Sequence, residues 1–357
     1  MTRILLTFVV CLSAVTPSLM AQSDQWPITA RGDWSADTRQ WWSDDGERRI
    51  QLNMRTEGDR NWGSGVRIAD LDGLPPAATT GLAADVRFSW TREAGLFRFQ
   101  GSFDGGRGNG TFTFAANPSY VSGMASLGYR NLSSDNVMRL ALLDVTETYT
   151  RSLRDAGYGS LLLDDLIRFR IHKVSAEEIR ELGALGYKGL SPEELVKFRI
   201  HKVTPEYIRA IADAGHKGLT GEELVKFRIH KVDPTFIRGL SERNYRGLIA
   251  EDLVRMKIHK VSLQGIDELK ALGYGGLLSD ELVKLRIHKV TPQFIRSIHD
   301  AGFKTISIEN LVRMRIHKVD AQFIKDLQAD GYKDLSASDV IDLAIRGPRF
   351  SRVRRSP

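Results

Sequence analysis

The chain has 357 residues, of which 42% are hydrophobic and 27% charged, with a formal net charge of +7. That composition excludes wholesale disorder and leaves room for two domains, or for one domain and a repeat array. The lone cysteine, Cys11, falls in a segment expected to be removed, so the mature chain excludes disulfides, thiolate zinc sites and a cysteine nucleophile together.

Residues 1–21 read as a signal peptide. Arg3 supplies the positive start, Ile4 to Ala14 the apolar core, and Ala21 a cleavage position. The apolar run is shorter than the roughly 20 residues a bilayer span requires, and no later run reaches that length. A retained anchor is the rival reading, and Leu19 leaves the cut position open. The expected location is periplasmic or secreted.

Residues 22–116 have a two-residue rhythm. Val86, Phe88 and Trp90 alternate with polar residues, as do Phe97, Phe99 and Phe103, then Phe112 and Phe114. This predicts half-buried antiparallel strands, with a further strand over Arg49 to Thr56 and a turn at 92–95. The glycine-rich stretch 104–110 reads as a longer turn. It lacks the Lys-Ser/Thr ending of a phosphate loop and joins two strands. All six tryptophans lie between Trp26 and Trp90, as expected of the core of a small sheet that covers the start of the following array.

From residue 117 to 346 the chain repeats every 29 residues. His172, His201, His230, His259, His288 and His317 each sit in Ile-His-Lys-Val. Each unit reads as two short helices. One column holds Asn117, Thr146, Ser175, Thr204, Asp233, Ser262, Thr291 and Asp320, all residues that cap a helix start. A second holds Gly128, Gly157, Gly186, Gly215, Asn244, Gly273, Gly302 and Gly331, the residues that end a helix in the left-handed conformation. The first-helix cap column is weaker, because Leu162, Ile249 and Leu278 occupy it; those helices are expected to fray or start late. His216 stands in an aromatic column and reads as a substitute for tyrosine. The predicted fold class is α+β: a small antiparallel β domain, then an α-helical solenoid of two-helix repeats, since one pair of helices finds a core only against its neighbours. Residues 347–357 form a basic tail with Arg349, Arg352, Arg354 and Arg355.

The stretches from Val86 through Gly95, Phe97 to Phe99 and Gly110 to Phe114, together with Ile-His-Lys-Val-Thr-Pro-Glu-Tyr-Ile-Arg at 200–209, resemble an extracytoplasmic module of soil bacteria. That module pairs a β domain with Ile-His-x-Val helical repeats, alone or attached to membrane metallopeptidases of the β-lactam-sensor type. The resemblance covers most of the mature chain and implies an association with envelope sensing. The peptidase itself does not carry over, because no histidine here is followed by glutamate and His-Glu-x-x-His is therefore absent.

The histidine row invites a metal, but equivalent atoms in stacked repeats sit about 8–10 Å apart, too far for neighbouring imidazoles to share a zinc without strong convergence. We expect each histidine to end its helix, its ring bonding the last carbonyls. Protonation would add charge along one ridge, so partner affinity that is identical at acid and neutral pH would remove a switching role. Three columns are basic through the six intact units. One runs Arg168, Lys197, Lys226, Arg255, Lys284, Arg313. The second is Arg170, Arg199, Arg228, Lys257, Arg286, Arg315. The third is Lys173, Lys202, Lys231, Lys260, Lys289, Lys318. Cations near helix ends suit the helix dipole. The second and third columns with the histidine row make the candidate interaction ridge. No catalytic set, cofactor or metal site is expected. The functional reading is an exported scaffold that binds a protein or an anionic envelope component. The alternative is nucleic-acid binding by tandem helix-hairpin-helix-like units, which the hinge opposes by lacking the glycines that let backbone amides approach a phosphate.

Overall fold

The computed structural model describes residues 29–38, 46–58 and 60–347. Residues 1–21, read above as a signal peptide, the tryptophans at 26, 41 and 42, and the tail arginines at 349, 352, 354 and 355 lie outside the described residues. The fold is α+β, an antiparallel sheet followed by tandem helices of similar length, in two compact units that divide at residues 170 and 171.

Among the described residues the first unit holds seven strands: β1 (Thr29–Asp37), β2 (Arg49–Thr56), β3 (Asn61–Arg67), β4 (Leu71–Asp72), β5 (Ala84–Arg92), β6 (Gly95–Asp104) and β7 (Arg107–Ala116). Their order is β3-β2-β1-β7-β6-β5-β4, every pair antiparallel. The alternation seen in the sequence sorts the two faces. Val86, Phe88, Trp90, Phe97, Phe99, Phe112 and Phe114 are buried, while Arg87, Arg98 and Thr113 between them are exposed. The sheet curls, so that Trp34 of β1 meets Phe88 of β5 edge-on at 5.4 Å across two intervening strands.

The stretch 104–110 is not a long turn. β6 and β7 run on to pair Asp104 with Arg107, leaving only Gly105 and Gly106, both at positive φ, as a two-residue hairpin turn. The remaining glycines belong to the strand: a Cβ on Gly108 would stand 2.6 Å from the Phe103 ring, which lies over it.

The unit continues with α1 (Pro76–Thr80), α2 (Pro118–Ser126), α3 (Ser134–Leu142), α4 (Glu147–Leu153) and α5 (Leu163–Ile171), the last ending at the division. Helix α3 packs on β1, β6 and β7 and buries Val137, Met138, Leu140 and Ala141. The sheet and the first helices therefore share a core. The repeat signature begins at Asn117, where β7 has ended and α2 is capped, but the compact unit extends on to residue 170.

The described residues of the second unit form helices: α6 (Ala176–Ala184), α7 (Pro192–His201), α8 (Pro205–Asp213), α9 (Gly221–Ile229), α10 (Pro234–Glu242), α11 (Ala250–Ile258), α12 (Leu263–Ala271), α13 (Ser279–Ile287), α14 (Pro292–Asp300), α15 (Ile308–Ile316), α16 (Ala321–Ala329) and α17 (Ala337–Arg346). Odd-numbered helices from α7 to α17 touch the next odd one, and even-numbered helices touch the next even one. The result is two layers, each helix seated on its counterpart in the neighbouring repeat.

Each residue of the second-helix cap column accepts a backbone N–H two or three residues on, from Asn117 to Asp320. The fraying expected at Leu162, Ile249 and Leu278 does not occur: α5, α11 and α13 start in the same column as the other first helices. Packing in the layer holds the helix where the cap is missing, and at α13 Glu281 still accepts the Leu278 N–H at 2.8 Å.

Candidate functional site

The first helices all end in one way. In α7, Val203 donates its N–H to Phe198 O at 2.8 Å and Lys202 donates to Arg199 O at 3.2 Å. Lys202 sits at φ 56° and ψ 40°, in the left-handed region. This is a Schellman turn, closed by the buried pair Val203 and Phe198. Lys173, Lys231, Lys260, Lys289 and Lys318 repeat it with φ of 55–57°. In the degenerate unit of the first compact body Asp144 takes the position, at φ 55°. A side chain in this region costs about 1–2 kcal/mol per residue, yet lysine holds it in all six intact units.

The imidazoles do not cap these helix ends. Among the described residues none of the six rings of the row makes a hydrogen bond or ion pair. A guanidinium from the following repeat does that work instead. Arg199 Nε donates to His172 O at 3.0 Å, Arg228 Nε to His201 O at 3.1 Å, and Arg286 Nε to His259 O at 3.4 Å. Arg170 does the same to Leu143 O at 2.9 Å in the first unit.

The same column stacks on the residue at the third position of the preceding second helix. Arg228 lies over Tyr207 at 4.6 Å, Lys257 over Phe236 at 4.6 Å and Arg315 over Phe294 at 4.8 Å. Where that residue is Glu178, Arg199 pairs with it at 3.2 Å instead. Burial pushes the Glu178 carboxyl up, against the pull of the guanidinium. Tyr207 in turn donates its hydroxyl to Val232 O at 2.8 Å, and burial drives its pKa up to about 12. The basic column of Arg199, Arg228, Lys257, Arg286 and Arg315 is thus a staple between repeats as well as part of the ridge.

The column before it is engaged with acids at Arg168, Lys197, Lys226, Arg255 and Lys284. Lys197 meets Glu193 at 2.8 Å, Lys226 meets Glu222 at 3.1 Å, and Lys284 meets Glu309 of the next repeat at 2.9 Å. These pairs are exposed and screened by salt. The third column differs from both. Lys173, Lys202, Lys231, Lys260, Lys289 and Lys318 are exposed and, among the described residues, carry no ion pair.

Beside each lysine of this row, two residues back, stands an isoleucine that the sequence pattern had not singled out. Ile200, Ile229, Ile258, Ile287 and Ile316 are 50–53% exposed, at the ends of helices that bury residues such as Leu195, Phe198, Leu224, Phe227, Leu253 and Met256. Each first helix from α7 to α15 touches the next one, and arginine-to-carbonyl bonds tie three of the junctions between first helices, so these Ile-His-Lys triplets fall along one edge of the second unit.

The turn amides are not free for a phosphate, because Lys202 N and Val203 N are both engaged in the turn and the Tyr207 amide is capped by Thr204. On the opposite side of the repeat a further basic column, Lys188, Lys217, Arg246, Lys304 and Lys333, follows the aromatic one and is exposed. His216 does stand where tyrosine stands in other units. It meets Phe227 edge-on at 6.2 Å, as Tyr187 meets Phe198 at 6.2 Å, and burial lowers its pKa.

A cavity of about 740 Å³ lies against Arg31, Glu57, Arg60 and Asp135, whose charges are paired with one another, Arg31 with Glu57 at 2.7 Å and Arg60 with Asp135. Among the described residues no group of three or more metal-ligating side chains is brought together, and no helix is long and apolar enough to cross a membrane. A scan against protein-family models gives no match to this chain, and a search of curated proteins gives no significant match.

Proposed function

We propose that the protein is an exported, non-catalytic scaffold whose repeat surface binds a protein or an anionic component of the cell envelope. The observation that carries this reading is the Ile-His-Lys edge. Six lysines occupy a costly backbone conformation and stay without an ion pair among the described residues, each next to an exposed isoleucine. Lysine in a turn that glycine would make without strain, with exposed apolar surface beside it, marks a surface kept for a partner. The signal-like segment 1–21 and the resemblance to extracytoplasmic repeat modules support the exported location and an association with envelope sensing.

The test is capture from an envelope extract by the immobilised chain lacking residues 1–21. It is compared with a variant in which Lys231, Lys260, Lys289 and Lys318 are glutamine, and with a chain ending at Gly347. A component retained by the parent and lost by the lysine variant is the expected outcome. Equal capture by the parent and the lysine variant would sink the edge as the binding surface. Retention of nucleic acid at low salt by both would move the reading to the helix-hairpin-helix alternative.

A further inference from the structure

We infer that the Ile-His-Lys edge docks on an anionic lipid surface, its lysines among the headgroup phosphates and its isoleucines at the boundary with the acyl chains. This deepens the scaffold reading and rests on it.

Charge complementarity fixes the sign of the partner. The lysine row lies beside second helices whose first turn, past the cap, loses its acids along the chain: Glu177 and Glu206 in the first two repeats are followed by Thr235, Gln264, Gln293 and Gln322 in the same column. Asp233, a neighbouring cap, faces Lys257 at 4.0 Å. Asp320 caps the last of these helices, its Oδ1 accepting the Phe323 N–H at 2.8 Å. In the stretch from Lys231 to Lys289 the cap Asp233 is the carboxylate beside the row, and Lys257 faces it.

The choice of cation points to lipid over a shaped protein carboxylate. Where this chain has a fixed acceptor to grip it uses mostly arginine, as Arg199, Arg228 and Arg286 grip carbonyls and Arg243 grips Asp267 through two bonds of 2.7 and 2.6 Å. The free row is lysine at all six positions, a point charge on a flexible stem suited to acceptors without fixed geometry. The isoleucines supply the second half of interfacial binding, apolar area that enters the headgroup region while lysines attract the surface.

The experiment is co-sedimentation of the chain lacking residues 1–21 with vesicles of phosphatidylcholine alone, and with vesicles in which about 30 mol% is phosphatidylglycerol, at about 100 mM salt. The expected result is partitioning to the anionic vesicles and none to the neutral ones. Each lysine changed to glutamine at 231, 260, 289 or 318 weakens partitioning about fivefold, the change that about 1 kcal/mol per surface lysine corresponds to. Each isoleucine changed to serine at 229, 258, 287 or 316 weakens it about threefold, and this loss persists when salt is raised. Circular dichroism confirms that the variants keep their helices. Equal binding to both vesicle types, no binding to either, or anionic binding indifferent to the lysine row would each overturn the inference. Polyglutamate serves as the parallel probe. Retention of polyglutamate through the same lysines without vesicle binding would discard lipid and leave the scaffold reading standing, whereas loss of both would discard the edge altogether.

Discussion

Each repeat reverses direction twice, and the two reversals solve one backbone problem with different residues. Both are Schellman turns: Val203 N–H reaches Phe198 O after the first helix, and Tyr187 N–H reaches Leu182 O after the second. The second turn uses glycine at φ of 88–111°, with Asn244 at 68° as the exception, and a Cβ on Gly215 would meet nothing within 4 Å. Glycine is there for its dihedral and not for space, since no side chain adopts φ near 100° comfortably. The first turn sits at 55–57°, within reach of a side chain at a tolerable cost, and lysine takes it. The difference teaches that one end of the repeat is set by conformation, while the other accepts strain to display a cation.

Four substitutions break or sharpen that comparison. Gly215→Ala should cost about 2 kcal/mol, because the alanine must hold a φ that even Asn244 does not reach; a smaller shift in urea midpoint would mean the turn relaxes. Arg228→Met should cost about 1.5 kcal/mol through the lost ring stacking and the freed His201 carbonyl. His216→Tyr should gain about 1 kcal/mol, since the tyrosine hydroxyl can reach the next repeat as Tyr187 reaches Leu219 O at 2.6 Å. It should also flatten the acid limb. With its folded pKa held down by burial, His216 contributes stability above its unfolded pKa that is lost as pH falls through that value towards the folded one. Lys260→Gly should change stability by less than about 1 kcal/mol, relief of left-handed strain being offset by a freer unfolded chain, while weakening partner binding. A variant that folds as before and binds as before would remove lysine's functional claim to the turn.

Much of this was legible in the sequence, where a local rule decides. The cap column from Asn117 to Asp320 and the stop column from Gly128 to Gly331 name their conformations directly, and the alternation in β5, β6 and β7 names their faces. What stayed hidden depends on distance along the chain or on conformations that residue chemistry does not announce. Nothing about lysine advertises φ of 57°, although Asp144 in the same column, a residue that visits this region more readily, was a signal that went unread. Arg228 finds its carbonyl 27 residues back, so its role required the stacking to be known first. β1 and β3, with Gly32, Gly63 and Gly65 breaking their apolar rhythm, gave too little pattern to be read.

The bonds that join repeats in the second unit span 21 to 32 positions along the chain, as in Arg199 to Glu178 and Tyr187 to Leu219. A duplication or loss of one whole 29-residue period would therefore keep the spacing of the arginine-to-carbonyl column, while a pair peculiar to one junction, such as Arg243 with Asp267, would be lost because Arg296 stands one period on from Asp267. It would also add or remove one lysine and one isoleucine from the edge. Valency becomes a heritable dial: grip on a multivalent surface could be tuned by copy number alone, without inventing a single new contact.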